Sequence, residues 1–179
     1  MPDSTVAARQ RVFFAIWPDA AAAQDLDELG RTAHAHCSGR RMRRDGLHLT
    51  LAFIGEVPVE RIDDLHAAAA RVASAPFLME IDRLACWRHN RIVWAGCEQA
   101  PLPLLTLVGQ LRERLAEVGL PLDDRDFAAH VTLLRDAHCD VLPVFGRIAW
   151  PVADFVLAAS QPEGGGHYEI IGRWPLAGG

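Results

Sequence analysis

Two short segments of this 179-residue chain repeat one pattern, His48-Leu49-Thr50-Leu51 and His130-Val131-Thr132-Leu133. Side chains alternate between the faces of a strand, so His48 and Thr50 share one face while Leu49, Leu51 and Phe53 take the other. His130 and Thr132 oppose Val131 and Leu133 in the same way. Eight histidines and five threonines in 179 residues lead to about 0.2 His-x-Thr triplets by chance. Two imidazoles across a groove can divide acid–base work, one neutral to accept a proton and one charged to give it. Hydroxyl donors suit the nonbridging oxygens of a phosphate. Two histidines and two hydroxyls in twofold arrangement fit an in-line phosphodiester displacement without metal, with His48 assigned as the acid at the leaving oxygen and His130 as the base, roles that the twofold arrangement leaves exchangeable. The competing reading is a pair of strand histidines hydrogen-bonded to local backbone.

The elements that must hold these segments follow from the apolar patterning. Residues 1–10 read as a flexible tail. Arg11–Trp17 is rich in strand formers, and Pro18-Asp19 opens a helix to about His36. Leu47–Ile54 alternates and ends at Gly55. Pro58 to about Ala73 reads as a second helix. Phe77–Trp87 and Arg91–Cys97 read as a hairpin, and Leu102–Val118 as a third helix closed by Gly119. Phe127–Arg135 is strand-like, and Val152–Ala159 with His167–Trp174 forms a last hairpin across SQPEGGG. This order predicts an α+β fold with antiparallel sheet. Strand, helix and His-x-Thr strand occur twice. The intervals Arg11 to His48 and Arg91 to His130 span 37 and 39 residues. The repeat predicts two lobes related by a pseudo-twofold, each too small to stand alone, within one domain over 1–179.

Composition narrows the function. Net charge is −5 and the sequence pI about 5.9, so the basic field of a duplex-binding protein is absent. All 18 basic residues are arginine, which leaves no lysine nucleophile. No apolar run approaches the roughly 20 residues of a membrane helix, and the start lacks a signal-peptide pattern, so a cytoplasmic protein is expected. Cys37, Cys86, Cys97 and Cys139 form no CxxC pair and are expected as inert thiols rather than a disulfide framework. His34, His36 and Cys37 crowd together and His138 adjoins Cys139, yet the paired spacing of a zinc site is missing, and no metal is expected. No phosphate-cradling GxGxxG or GxxxxGK[ST] and no GxSxG occurs.

The motifs RVFFAIWP, LHLTLAFIGEV, RIVWAG, FAAHVTLLR and FVLAAS…HYEIIGRWPL follow one another along nearly the whole chain. In this the sequence resembles the two-histidine (2H) phosphoesterase superfamily, in its bacterial 2′-5′ RNA ligase or RNA 2′,3′-cyclic phosphodiesterase branch. The resemblance implies a bilobal fold with both His-x-Thr elements on the floor of a central groove. It implies hydrolysis of RNA 2′,3′-cyclic phosphate ends to 2′-phosphates, a weaker reversible 2′-5′ joining, and no metal or nucleotide cofactor. It implies an arginine at Arg135, although an odd step of five from His130 turns that residue away in a straight strand. One departure stands out: similar sequences carry prolines in a pattern RPFxPHVTL, where this chain reads Arg125-Asp126-Phe127-Ala128-Ala129-His130.

Arg40, Arg41, Arg43 and Arg44 are candidates to track an RNA backbone or to form a solvated loop, with Arg43 the named substrate contact. Phe53 is a further candidate contact, although core packing is the plainer role for Phe53 and Trp17. Tyr168 and Trp174 could pack a lobe or line the groove. His66, His89 and His167 read as surface residues. The expected partners are RNA ends with a 2′,3′-cyclic phosphate or small cyclic nucleotides, with no membrane and a monomeric chain. Two other functions remain open at this point: a phosphodiesterase for a small cyclic or 2′-5′-linked nucleotide, and a non-catalytic RNA-end-binding module.

Overall fold

The structure is a computed structural model that describes residues 8–120, 122, 126–161 and 167–177. Arg125, residues 1–7 of the expected tail and the center of the last hairpin's loop lie outside the described residues. The elements run β1 (Arg9–Ile16), α1 (Ala20–His36), β2 (Arg40–Arg41), β3 (Leu49–Pro58), α2 (Ile62–Ala69), β4 (Phe77–Ile81), β5 (Arg83–Trp87), β6 (Ile92–Gly96), α3 (Leu102–Glu117), β7 (His130–Arg135), β8 (Ile148–Val152), β9 (Asp154–Ser160) and β10 (Tyr168–Pro175). Short 3-10 turns precede β3 and α2. The antiparallel α+β expectation holds. Arg9 and Gln10, expected in the tail, already belong to β1, because they pair with Pro58 and Val57.

Two four-stranded ladders, β10-β9-β1-β3 and β5-β6-β7-β2, meet at the single pair Leu49↔Val131 and so form one eight-stranded sheet. The repeat is visible in this topology, but the halves are interleaved. β9, from the second half, pairs with β1 of the first. β5, from the first half, pairs with β6 of the second. β4 and β8 pair with each other as a separate two-stranded sheet. Helices cross over as well: α1 packs on β7 and β8, and α3 on β3 and α2. Val12, Phe14, Ile16, Leu49, Val131 and Leu133 face this helix-covered core. Phe13 and Ala15 lie on the opposite face with Ala158, Trp17 and Tyr168.

Three sequence expectations are corrected. Phe77–Trp87 is not one strand, because Asp82 divides it; its carboxylate accepts from Glu98 N at 2.8 Å and its N–H donates to Gly96 O. Gly55 does not end its strand, since β3 continues through it at φ +84°. Cys37 and Cys139 are joined by a disulfide, with Cα atoms 4.5 Å apart. Cys37 caps α1 and Cys139 follows β7, so the packing of α1 on β7 brings together thiols that are 102 residues apart. Cys86 and Cys97 remain free, and burial pushes the Cys97 thiol up to about 11, which leaves it a poor nucleophile.

Both strands that carry His-x-Thr are bulged at the same place. Ala15 pairs with Thr50 and Phe14 with Ala52, so Leu51 is an extra residue in β3. Trp94 pairs with Thr132 and Val93 with Leu134, so Leu133 is an extra residue in β7. A bulge breaks strand alternation and re-aims the side chains beyond it. Leu51 and Ala52 are both buried, as are Leu133 and Leu134. Phe53 and Arg135, each five residues after a histidine, therefore return to the histidine's face.

Candidate active site

His48 and His130 arrive in one hollow of about 100 Å3, together with Thr50, Thr132, Arg135, Tyr168, Met42 and Gly46. His48 lies just ahead of β3 and His130 opens β7, on either side of the Leu49↔Val131 pair that joins the ladders. The approach to His130 depends on Gly96, where any side chain would strike the Ala129 carbonyl. Each imidazole is tethered in the same manner. His48 Nδ1 lies 2.7 Å from Gly46 O, and His130 Nδ1 lies 2.8 Å from Ala128 O. A carbonyl only accepts, so each Nδ1 carries hydrogen and each Nε2 is left for proton transfer.

The walls differ. Around His48, Trp17 stacks at 4.7 Å, Phe13 lies at 4.9 Å, and Tyr168 meets the ring edge-on at 5.0 Å between centroids. Around His130, Trp87 stands edge-on at 4.6 Å and Trp94 at 6.3 Å. Burial pushes the His48 imidazole down from 6.5 to about 4, against the Gly46 carbonyl, which favors the charged form; His130 and Arg135 push the same way as burial. Burial also lowers His130, opposed by the Ala128 carbonyl and reinforced by Arg135. Both rings are thus neutral at pH 7 in the free protein, ready for an anion that would raise them.

Arg135 lines the hollow, contrary to its odd step in a straight strand, and the Leu133 bulge is the reason. It has no carboxylate partner among the described residues. Phe53 is not core: it is 48% exposed, and the Arg11 guanidinium lies over its ring at 4.9 Å. Trp17 is a half-buried wall of His48 rather than core. Tyr168 lines the groove, whereas Trp174 packs a lobe against Phe14 and Phe155. His66 is tucked against Trp174 at 5.3 Å and is not a surface residue, while His89 is. His167 is exposed, as expected, but it borders the groove.

Arg43 does not line the hollow. Its guanidinium is held by Asp45 at 2.9 and 3.1 Å and approaches His167 at 3.4 Å. Arg41 pairs with Asp27, and Arg44 donates to Ala20 O, so most of the arginine cluster is engaged locally. Trp87 and Met42 were not singled out from sequence. A signal for Trp87 existed in its place at the end of a strand beside the second motif's neighbor. His34 and His36 bond to Gly39 O and Thr32 O, and Cys37 is in the disulfide. Among the described residues no three His, Cys, Asp or Glu gather at a distance to hold a metal ion.

The arrangement can hold an anion between two hydroxyls and a guanidinium while two Nε2 atoms act on it. Known proteins match the chain and its fold. The family model for LigT-like phosphoesterases matches residues 16–94. The RNA 2′,3′-cyclic phosphodiesterase of Escherichia coli (strain K12) is 35% identical, over 93% of this chain and 97% of that one. The enzyme of the same name from Thermus thermophilus is 32% identical, over 74% of this chain and 73% of its own length. The crystal structure of E. coli LigT complexed with 3′-AMP superposes with a TM-score of 0.86 at 35% identity, covering 94% of this chain and 99% of that one. Identity of this extent, along chains that superpose nearly end to end, makes this protein a member of the LigT-like phosphoesterase family of the 2H superfamily.

Proposed function

We propose that this protein hydrolyzes RNA 2′,3′-cyclic phosphate ends to 2′-phosphates by two-histidine acid–base catalysis without a metal. The observation that carries the reading is the single hollow in which two Nδ1-tethered imidazoles, two threonines and Arg135 converge. Thr50, Thr132 and Arg135 hold the nonbridging oxygens. His130 Nε2 takes the proton of the attacking water, and His48 Nε2 delivers a proton to O3′ as the P–O3′ bond breaks. Both Nδ1 atoms are tied to backbone carbonyls, so the frame presents two Nε2 atoms, one to take a proton and one to give it. A 5′-hydroxyl in place of water would form a 2′-5′ bond by the same steps, and the reverse would cleave it.

The reading takes the monomer as the working form, supported by a hollow whose lining residues all lie in one chain. No described helix is long and apolar enough to cross a membrane. The reading assigns the enzyme to the cytoplasm. The test is an oligoribonucleotide with a 2′,3′-cyclic end, assayed in excess EDTA with the product's phosphate position identified by 31P NMR. Full turnover to the 2′-phosphate is expected. Loss of turnover that zinc or magnesium restores would falsify the metal-free mechanism.

A further inference from the structure

Next to the hollow lies a second, much larger cleft of about 900 Å3. It includes His48 and Thr50 in its lining but neither His130 nor Thr132, so it extends from one side of the catalytic center only. Its floor is β1. Arg9, Arg11 and Phe13 alternate along that strand and all line the cleft. Phe13 touches the His48 ring, and the register sets Phe13 beside Phe53, Arg11 beside Glu56 and Arg9 beside Pro58. Arg11 and Arg9 therefore stand one and two steps farther from His48, each step about 6.7 Å along a strand.

These groups are free to meet a ligand. The Arg11 guanidinium lies over one face of Phe53, and Phe53 is half exposed. Arg9 donates to Glu56 O at 2.9 Å and lies 3.9 Å from the Glu56 carboxylate, with both side chains exposed. Such a pair is worth about 0–1 kcal/mol and yields to a better anion. On the other wall Gln161 donates to the Glu169 carboxylate at 3.3 Å, so the cations of the cleft are Arg9 and Arg11 of β1 and Arg135 at its catalytic end. A row of cations with an aromatic platform is how single-stranded nucleic acid is tracked. Ligand sites for small molecules run to roughly 300–1,000 Å3, so this cleft stands near the upper end of that range.

We propose that the cleft binds the nucleotides on the 5′ side of the cyclic phosphate. Arg11 and Arg9 take their successive phosphates and Phe53 lies under a base, so the preferred substrate is an oligonucleotide end rather than a cyclic mononucleotide. The proposal rests on the function assigned to the two-histidine hollow. Its test compares adenosine 2′,3′-cyclic phosphate with oligoadenylates of increasing length that end in the same group. The ratio of kcat/KM, oligonucleotide over mononucleotide, should reach about tenfold, carried by KM. Log kcat/KM should fall with log salt more steeply for the oligonucleotide, by about 0.7 for each phosphate engaged. Arg9→Glu and Arg11→Ala should each reduce the ratio and flatten the oligonucleotide's salt slope. Equal kcat/KM and equal salt slopes for the two substrates in the wild type would overturn the track and leave the catalytic reading standing. So would variants that lower both substrates in proportion. Turnover of none of these substrates would overturn the catalytic reading and the track with it.

Discussion

Around His48 the chain places Phe13, Trp17 and Tyr168; around His130 it places Trp87 and Trp94. Five residues on, across a bulge in each strand, the first half has Phe53 and the second Arg135. Yet both Nδ1 atoms are tied to the carbonyl two residues back, and both threonines line the hollow. The backbone frame is duplicated and the side chains around it have diverged. The shared frame supplies what both halves of an in-line displacement require, a directed Nε2 and a hydroxyl. The divergence leaves an aromatic ring at one of the two equivalent positions and a guanidinium at the other.

The largest expected effect breaks the shared frame. His48→Ala and His130→Ala should each lower kcat by on the order of 10²–10⁴. The double variant should be little worse, because the two act as a unit. A substrate whose 3′ leaving group needs no proton should restore His48→Ala and not His130→Ala; the opposite pattern exchanges their roles. Next come the hydroxyls. Thr50→Ala and Thr132→Ala should each cost roughly 10²–10³ in kcat, and the serine variants less. Unchanged rates in both alanine variants would remove the threonines from the transition state.

The diverged positions should give smaller and unequal effects. Arg135→Gln removes a charge-assisted contact of about 1.5–3 kcal/mol, roughly 10- to 100-fold, from kcat/KM. Phe53→Leu should raise KM a few-fold at near-constant kcat. A loss at Phe53 as large as at Arg135, and in kcat, would mean the two positions do the same work.

The smallest effect is in pH. Catalysis needs one proton on the pair, so kcat/KM falls at low pH when both rings are charged and at high pH when both are neutral. Burial holds both free-protein values below the ordinary 6.5, His48 at about 4, so kcat/KM should peak on the acid side and decline through pH 7. The kcat profile should lie at higher pH, since the bound phosphate favors the imidazolium. Trp17→Ala admits water to His48, raises its pKa and should move the acid limb upward. A kcat/KM plateau above pH 7 would mean that burial does not govern these rings.

The site was legible where chemistry is written in residue type. The doubled His-x-Thr identified both imidazoles and both threonines, and their strands and helices followed from apolar spacing. It was illegible where a single inserted residue changes geometry without changing composition. Leu51-Ala52 and Leu133-Leu134 are apolar pairs inside alternating strands, and such a pair was the only trace of the bulges that turn Phe53 and Arg135 inward. β8 carries a proline, Pro151, a residue that marks a sequence as non-strand, although Ile148, Trp150 and Val152 alternate as its buried face. The disulfide depends on tertiary packing of α1 against the end of β7, to which cysteine spacing is blind.

The exchange of strands between halves has a consequence for synthesis. β1 emerges from the ribosome more than 130 residues ahead of β9, its partner on one edge. Until then that edge is unpaired, and exposed edges invite pairing with other chains. Contacts so distant in sequence slow folding. The nascent chain must therefore hold its first His-x-Thr segment through that interval before β9 closes the other edge of β1. Catalytic competence should appear late and all at once, when β9 closes on β1.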